Sequence, residues 1–218
     1  MSNSKVMPRG VLLDLDGTLI DAFSPIIQAM RETLKAFNLP DMSDDAIRRN
    51  TGRGESSILA LFGDRTEEAL KHFTYIHDQT YLEAVKPLAG AEDLLSWFVA
   101  QGLPAGVVTS KGQHRAEAQL GKLGWLDYFA CIIGKMEGRE SKPSPIPLLL
   151  ACDQMQVAVQ DVIMIGDGEA DMQAAKRAGC TAFGLTHSFS EHELKIQGAD
   201  QCFQSLQEVL AWFKNQKN

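Results

Sequence analysis

The sequence predicts an α/β fold, a doubly wound parallel sheet with a small all-helical insert directly after its first strand. Three observations carry this. Val11, Leu12 and Leu13 form an apolar run that ends in Asp-Leu-Asp-Gly-Thr, the pattern of a buried parallel strand delivering acids to its carboxyl end. From residue 87 onward apolar runs alternate with helical patterns, as strands joined by helical crossovers require. Between residues 24 and 85 helical periodicity is uninterrupted by any strand-like run.

The first strand meets its chemistry at Asp14 and Asp16. Acids at such a strand end stand in the crevice where open α/β sheets bind ligands. While the chain stays extended, their two-residue spacing points both carboxylates to one side, and Gly17 then permits a sharp turn. One acid could attack while the other moves a proton. A plain Asx turn is the structural alternative. A calcium loop is excluded, because counting from Asp14 puts Thr18 fifth, Leu19 sixth and Pro25 twelfth, where amide or acid, Gly and Glu are needed.

The insert is predicted as helices over 24–37, 43–49, 55–62 and 66–85, with Ser43 capping the second. Between the second and third, Thr51-Gly52-Arg53-Gly54 reads as a flexible basic loop that a lid could present to a substrate, with Gly52 and Arg53 as candidate contacts; as a plain interhelix turn it needs no function. It is not a dinucleotide fingerprint, since Ser57 replaces the last glycine and no strand precedes it. The domain division predicted is a core of residues 1–20 and 87–218 and a cap of residues 21–86.

After Pro87 a helix over 90–100 ends at Gly102, and a buried strand over 105–108 delivers Thr109 and Ser110 to the same sheet end as Asp14. Hydroxyls and freed backbone N–H groups there can hold an anion, although they would equally cap the helix over 113–123. A strand over 131–133 precedes Lys142, which stands just before a helix over 145–155. A cation beside a positive helix end is unfavourable unless an anion lies between them. The strand over 162–165 ends in Gly166-Asp167-Gly168-Glu169-Ala170-Asp171 and feeds a helix to Gly179. Asp171 suits a first helical turn by charge alone, whereas Asp167 at the strand end calls for another reason. A strand over 181–185, a loop and helix over 187–196, an edge strand over 201–203 and a closing helix from Ser205 complete the chain.

Composition narrows the partners. A chain of 218 residues with 44% hydrophobic and 22% charged residues has room for a large core. A net charge of −7 and the lack of a Lys/Arg run oppose nucleic-acid or anionic-membrane binding. Cys131, Cys152, Cys180 and Cys202 are far apart and read as free thiols. With no apolar run near the ~20 residues of a span and a polar start, the expectation is a soluble cytoplasmic protein.

Together Asp14, Asp16, Asp167 and Asp171 stand at strand ends that a doubly wound sheet brings near each other, and four carboxylates cannot converge ionised without a cation. All-oxygen ligands suit Mg²⁺, which takes one or two carboxylates, waters and a substrate phosphate. Lys142 and Thr109 would hold the remaining phosphate oxygens, giving the parts that phosphoryl transfer requires.

In order, DLDGT at 14–18, VVTS at 107–110, SKP at 141–143 and GDGEAD at 166–171 resemble the four motifs of the haloacid dehalogenase-like (HAD) hydrolases. The insert resembles that superfamily's C1 cap, and the PLAG start and late AG its phosphoglycolate phosphatase-like branch. The resemblance implies a Rossmann-like core and a phosphatase acting on a small phosphorylated metabolite. It implies Asp14 as the nucleophile forming an aspartyl-phosphate, and Asp16 as the acid that protonates the leaving alcohol and then activates water. Thr109 and Ser110 would bind the phosphoryl group, with Lys142 balancing its charge. Asp14, the Asp16 backbone carbonyl and Asp167 would hold Mg²⁺, with Asp171 orienting a ligand or water. Ser110 stands where Asn is common and Gly168 where Ser or Thr is; neither removes a charged participant.

Asp16 opposes a dehalogenase, which lacks the second acid. A phosphonatase would need a cap lysine at the substrate, and Lys35 and Lys71 are predicted on helices away from the Gly52 loop. Zinc and serine hydrolases lack their spacings here. A sugar-phosphate mutase or a nucleotide phosphatase would share these core motifs, and a non-catalytic binding module would tolerate loss of Asp14. The identity of the phosphomonoester and the oligomeric state are not written in these motifs.

Overall fold

In chain order the elements are β1 (Gly10–Leu13), β2 (Ile20–Asp21), α1 (Phe23–Ala36), α2 (Asp44–Gly52), α3 (Thr66–His77), β3 (Lys86–Pro87), α4 (Ala91–Gln101), β4 (Ala105–Gly112), α5 (Gln113–Lys122), β5 (Cys131–Lys135), α6 (Ile146–Met155), β6 (Val162–Gly166), α7 (Glu169–Ala178), β7 (Thr181–Leu185), α8 (Glu191–Gln197), β8 (Gln201–Phe203) and α9 (Leu206–Gln216). The computed structural model describes residues 7–52 and 60–216.

Val11, Leu12 and Leu13 are wholly buried because β1 is the strand about which the sheet is laid out. The sheet order is β5-β4-β1-β6-β7-β8 and every pairing is parallel. Side chains alternate across a strand, so Val11 and Leu13 enter one core with Leu94 and Phe98 of α4, Leu120 of α5 and Phe213 of α9. Leu12 points the other way, into a second core with Leu148 of α6, Met172 of α7 and Leu194 of α8. Both faces are thus covered, which is why the strands read as continuous apolar runs. Strand order reverses beside β1: the sheet grows through β4 and β5 on one side and through β6, β7 and β8 on the other. Ligands of doubly wound sheets bind at that switch point, and Asp14 and Asp167 leave the two strands that flank it.

The insert departs through β2 and returns through β3, an antiparallel pair with Ile20 opposite Pro87 and Asp21 opposite Lys86. Two-residue strands carry no readable period, so the sequence did not predict this ribbon. Within the insert Phe23, Ile26, Met30 and Leu34 of α1 and Ile47 of α2 form a separate small core, with Phe62 and Phe73 packed against it. The Ser43 hydroxyl accepts from the Ala46 N–H at 3.2 Å and caps α2 as expected.

Three expectations differ from the described structure or fall outside it. Thr51 and Gly52 belong to α2, where the Thr51 hydroxyl bonds back to the Ile47 carbonyl at 3.0 Å, and are not a loop. Arg53 and most of the helix expected over 55–62 lie outside the described residues, and 60–62 are turn. The helix expected over 66–85 stops at His77. Beyond it the carbonyls of Tyr81 and Leu82 accept from Gln119 at 3.1 Å and Lys122 at 2.7 Å, side chains on α5 that replace helical donors. No helix among the described residues is long and apolar enough to cross a membrane.

Candidate active site

The carboxylates of Asp14, Asp167 and Asp171 each offer an oxygen, and the three oxygens lie within 4.8 Å of one another. Lys142 holds this cluster together. Its Nζ donates to Asp14 Oδ1 at 2.7 Å, Asp171 Oδ1 at 2.6 Å and the Val108 carbonyl at 2.7 Å. An ammonium has three donors, so all are engaged. Lys142 is thus paired with two carboxylates, Asp14 and Asp171. Burial alone would lower the Lys142 pKa, but the two carboxylates more than offset it and raise it.

One cation does not balance three acids. Burial pushes the Asp171 carboxyl up to about 6, against the pull of Lys142, and Asp14 adds to the rise. Asp167 is raised well above the usual carboxylate range by burial and by Asp14 and Asp171, while hydrogen bonds from Ser188 and Thr18 oppose the shift. The Thr18 and Ser188 hydroxyls each donate to Asp167 at 3.1 Å. Buried oxygen ligands carrying surplus negative charge fit a hard divalent cation, and the site passes that test on its own chemistry.

Asp16 stands apart from this cluster. The chain bends at Leu15 after β1, and Asp16 Oδ1 accepts from Lys111 Nζ at 2.8 Å, an ammonium that also donates to Gln119 Oε1 at 2.7 Å. Its carboxylate is thus occupied by Lys111 instead of joining the three metal-type oxygens. Burial raises the Asp16 pKa and Lys111 works against it.

Glycines make room for these acids. Gly17 has φ +82°, and a Cβ there would collide with the Asp167 carboxylate. Gly166 is equally constrained, since a Cβ would strike Asp171. Asp171 Oδ2 accepts from the Gly168 N–H at 3.0 Å, so the same side chain closes the first turn of α7.

The acids line the floor of a cavity of about 430 Å³. Thr109, Ser110 and Lys142 open onto it, and its upper wall comes from the insert, with Phe23, Ile26, Met30, Phe62, Phe73 and His77. Thr109 is 6% exposed and lies in the irregular end of β4, where pairing with β5 shifts register. Its hydroxyl accepts from the Lys111 N–H at 3.2 Å, which leaves its own proton free to donate.

Four contributors escaped the sequence reading. Lys111 follows the predicted TS pair directly, but its partner Asp16 is 95 residues away. Thr18 and Ser188 meet their shared partner Asp167 across 149 and 21 residues. Arg49 of α2 reaches across to the core: its guanidinium donates to the Ser188 carbonyl at 3.1 Å, pairs with Glu193 and lies 4.6 Å from the Phe189 ring centroid. Hydrogen bonds from Arg49 and then from Ser190 pull the Glu193 carboxyl down to about 2. A second junction joins Arg115 of α5 to Asp78, with Nη2 at 2.8 Å from Oδ2.

Comparison with known proteins agrees with this geometry. The sequence profile described as haloacid dehalogenase-like hydrolase matches residues 11–185. Phosphoglycolate phosphatase of Escherichia coli K12 is 31% identical, over 93% of this chain and 91% of that one. The enzyme of the same name from Neisseria meningitidis is 29% identical, over 96% and 95%. Among solved structures, a predicted phosphatase from Clostridium acetobutylicum superposes with a TM-score of 0.83 at 27% identity, covering 96% of this chain and 100% of that one. A haloacid dehalogenase-like family hydrolase from Streptococcus pneumoniae gives 0.84 at 25%, covering 95% and 98%. With four ordered motifs meeting at one switch point and a profile match through most of its length, the chain belongs to the haloacid dehalogenase-like hydrolases.

Proposed function

We propose that this protein is a Mg²⁺-dependent phosphomonoesterase that works through an aspartyl-phosphate on Asp14. The observation that carries the reading is the Asp14 carboxylate, bonded to Lys142 at the cavity floor and clustered with Asp167 and Asp171. An oxygen of Asp14 attacks phosphorus and the bond to the leaving oxygen breaks. Asp16, whose buried carboxyl holds its proton to higher pH than usual, gives that proton to the leaving alcohol. Water then attacks the phosphorus of the aspartyl-phosphate, Asp16 takes back a proton, and Asp14 and inorganic phosphate are released. Thr109 and Ser110 bind the phosphoryl oxygens. Lys142 orients Asp14 and balances its charge; a direct contact with phosphate requires it to exchange one of its three acceptors.

Asp14, Asp167 and the Asp16 backbone carbonyl would hold Mg²⁺, with Asp171 placing a ligand or water, and the ion would supply positive charge to the transferring oxygens. Residues 21–86 act as a cap whose closure excludes water, with Gly52 and Arg53 as its expected substrate contacts. The relatives' names make phosphoglycolate the first substrate to test. The net charge of −7 supports a small phosphorylated metabolite over nucleic acid or a membrane surface. The cytoplasm is the compartment this reading assigns; Cys131, Cys152, Cys180 and Cys202 are free, and burial raises the Cys131 and Cys180 thiols to about 11 and about 12.

The test is phosphate release from a panel of small phosphomonoesters with Mg²⁺, with EDTA and with Asp14→Asn. Metal-dependent release that Asp14→Asn abolishes is expected. Isomerisation of a phosphohexose without net release would replace the phosphatase reading with a mutase.

A further inference from the structure

His77, the last residue of α3, is 4% exposed and lines the cavity, and its buried Nε2 has no hydrogen-bond partner among the described residues. Leaving such a group unpaired costs about 1–3 kcal/mol, so its persistence calls for an explanation. Packing explains the ring but not the nitrogen. The imidazole is stacked between Phe73 and Tyr81, with centroids 5.6 and 5.5 Å away, and a phenyl ring would fill that stack equally well.

The surroundings define what Nε2 could bind. His77 lines the same cavity as Asp14 and Asp16, on the insert side, where the leaving alcohol of a phosphomonoester held at Asp14 must project. The neighbouring walls, Phe23, Ile26, Met30, Phe62 and Phe73, are apolar. Burial lowers the His77 pKa to about 4, and Lys111 and Arg115 lower it further, so the ring is neutral. Each of those cations is already paired, Lys111 with Asp16 and Arg115 with Asp78. A neutral imidazole offers an uncharged hydrogen bond beside the apolar wall of the insert.

We propose that His77 is a specificity-determining residue whose Nε2 hydrogen-bonds an uncharged hydroxyl or carbonyl on the substrate's leaving alcohol. The class selected is a phosphomonoester with a hydroxyl- or carbonyl-bearing alcohol. This rests on the phosphatase reading for the position of the phosphate, and adds a feature that glycolate recognition by a cap arginine does not require.

The experiment uses p-nitrophenyl phosphate hydrolysis with Mg²⁺ as reporter, and glycerol 3-phosphate, dihydroxyacetone phosphate and propyl phosphate as competing ligands. These compete whether or not they turn over. The wild type should bind the better of the first two at least about tenfold more tightly than propyl phosphate. His77→Phe, which keeps the ring stack, should erase that preference, and His77→Gln should keep part of it. Equal inhibition constants in the wild type, or the same preference in His77→Phe, would overturn the proposal. Should His77→Phe fail to fold, the wild-type ¹⁵N resonance of His77 decides. It should move with the preferred ligand and not with propyl phosphate, and a resonance unmoved by all three sinks the idea. Failure of the wild type to hydrolyse p-nitrophenyl phosphate would instead count against the phosphatase reading, while the resonance still reports on His77.

Discussion

Replacing Lys142 by Met removes the charge while keeping much of the side-chain length, so the substitution isolates the electrostatic role of this residue. Lys142 is 2% exposed in its side chain and is bonded to Asp14 and Asp171, themselves 14% and 4% exposed. Without it, three buried carboxylates share one small volume with no counter-ion. Removing one partner of a buried pair costs about 3–5 kcal/mol. For a domain of this size each kcal/mol lowers Tm by about 2–4 °C, so a fall of about 6–20 °C is expected in EDTA. The deficit depends on pH with a definite sign. Asp171 already has a folded pKa of about 6, above its unfolded value near 4. Loss of Lys142 raises it further, so the folded variant binds more protons than the unfolded chain. That stabilisation is complete below the unfolded pKa and is lost as pH rises through the folded one. The Tm gap between Lys142→Met and wild type should therefore widen from pH 5 to pH 8. Thermal denaturation monitored by circular dichroism measures it. A gap under about 1 kcal/mol, or one independent of pH, would refute the assignment of Lys142 as counter-charge to this cluster.

The same geometry sets other outcomes. Mg²⁺ at 100 times its Kd should stabilise the protein by about 2.7 kcal/mol, and Asp167→Asn should abolish that shift in a thermal melt. Gly17→Ala forces a side chain into φ +82° and against Asp167; phosphate release should be lost and Tm lowered by several degrees, at about 1–2 kcal/mol for the backbone conformation alone. Arg49→Ala removes the bond to the Ser188 carbonyl and the pair with Glu193. Amide exchange at Ser188 and Phe189 should quicken, and the Glu193 carboxyl should return from about 2 towards its ordinary range in an NMR titration.

Ser188 gives the Arg49 contact its interest. Its carbonyl is bonded to the insert and its hydroxyl to Asp167 Oδ2 at 3.1 Å. One residue therefore contacts both α2 of the insert and an acid of the metal-type cluster.

Local signals along the chain were enough to read the layers of the core, the helical insert and the acids at the strand ends. Runs such as Val11-Leu12-Leu13 bury on both faces, helical spacing marks α1, and Gly17 permits the turn beside the first acids. The pairings came only with the folded chain. Asp16 meets Lys111 across 95 residues, Thr18 meets Asp167 across 149, and Arg49 meets Glu193 across 144. Folding likewise ended α3 at His77, and beyond it α5 side chains donate to the Tyr81 and Leu82 carbonyls. A period along the chain records which face of an element is apolar. The charge that neutralises a buried acid is selected by distance in space, which no spacing along the chain records.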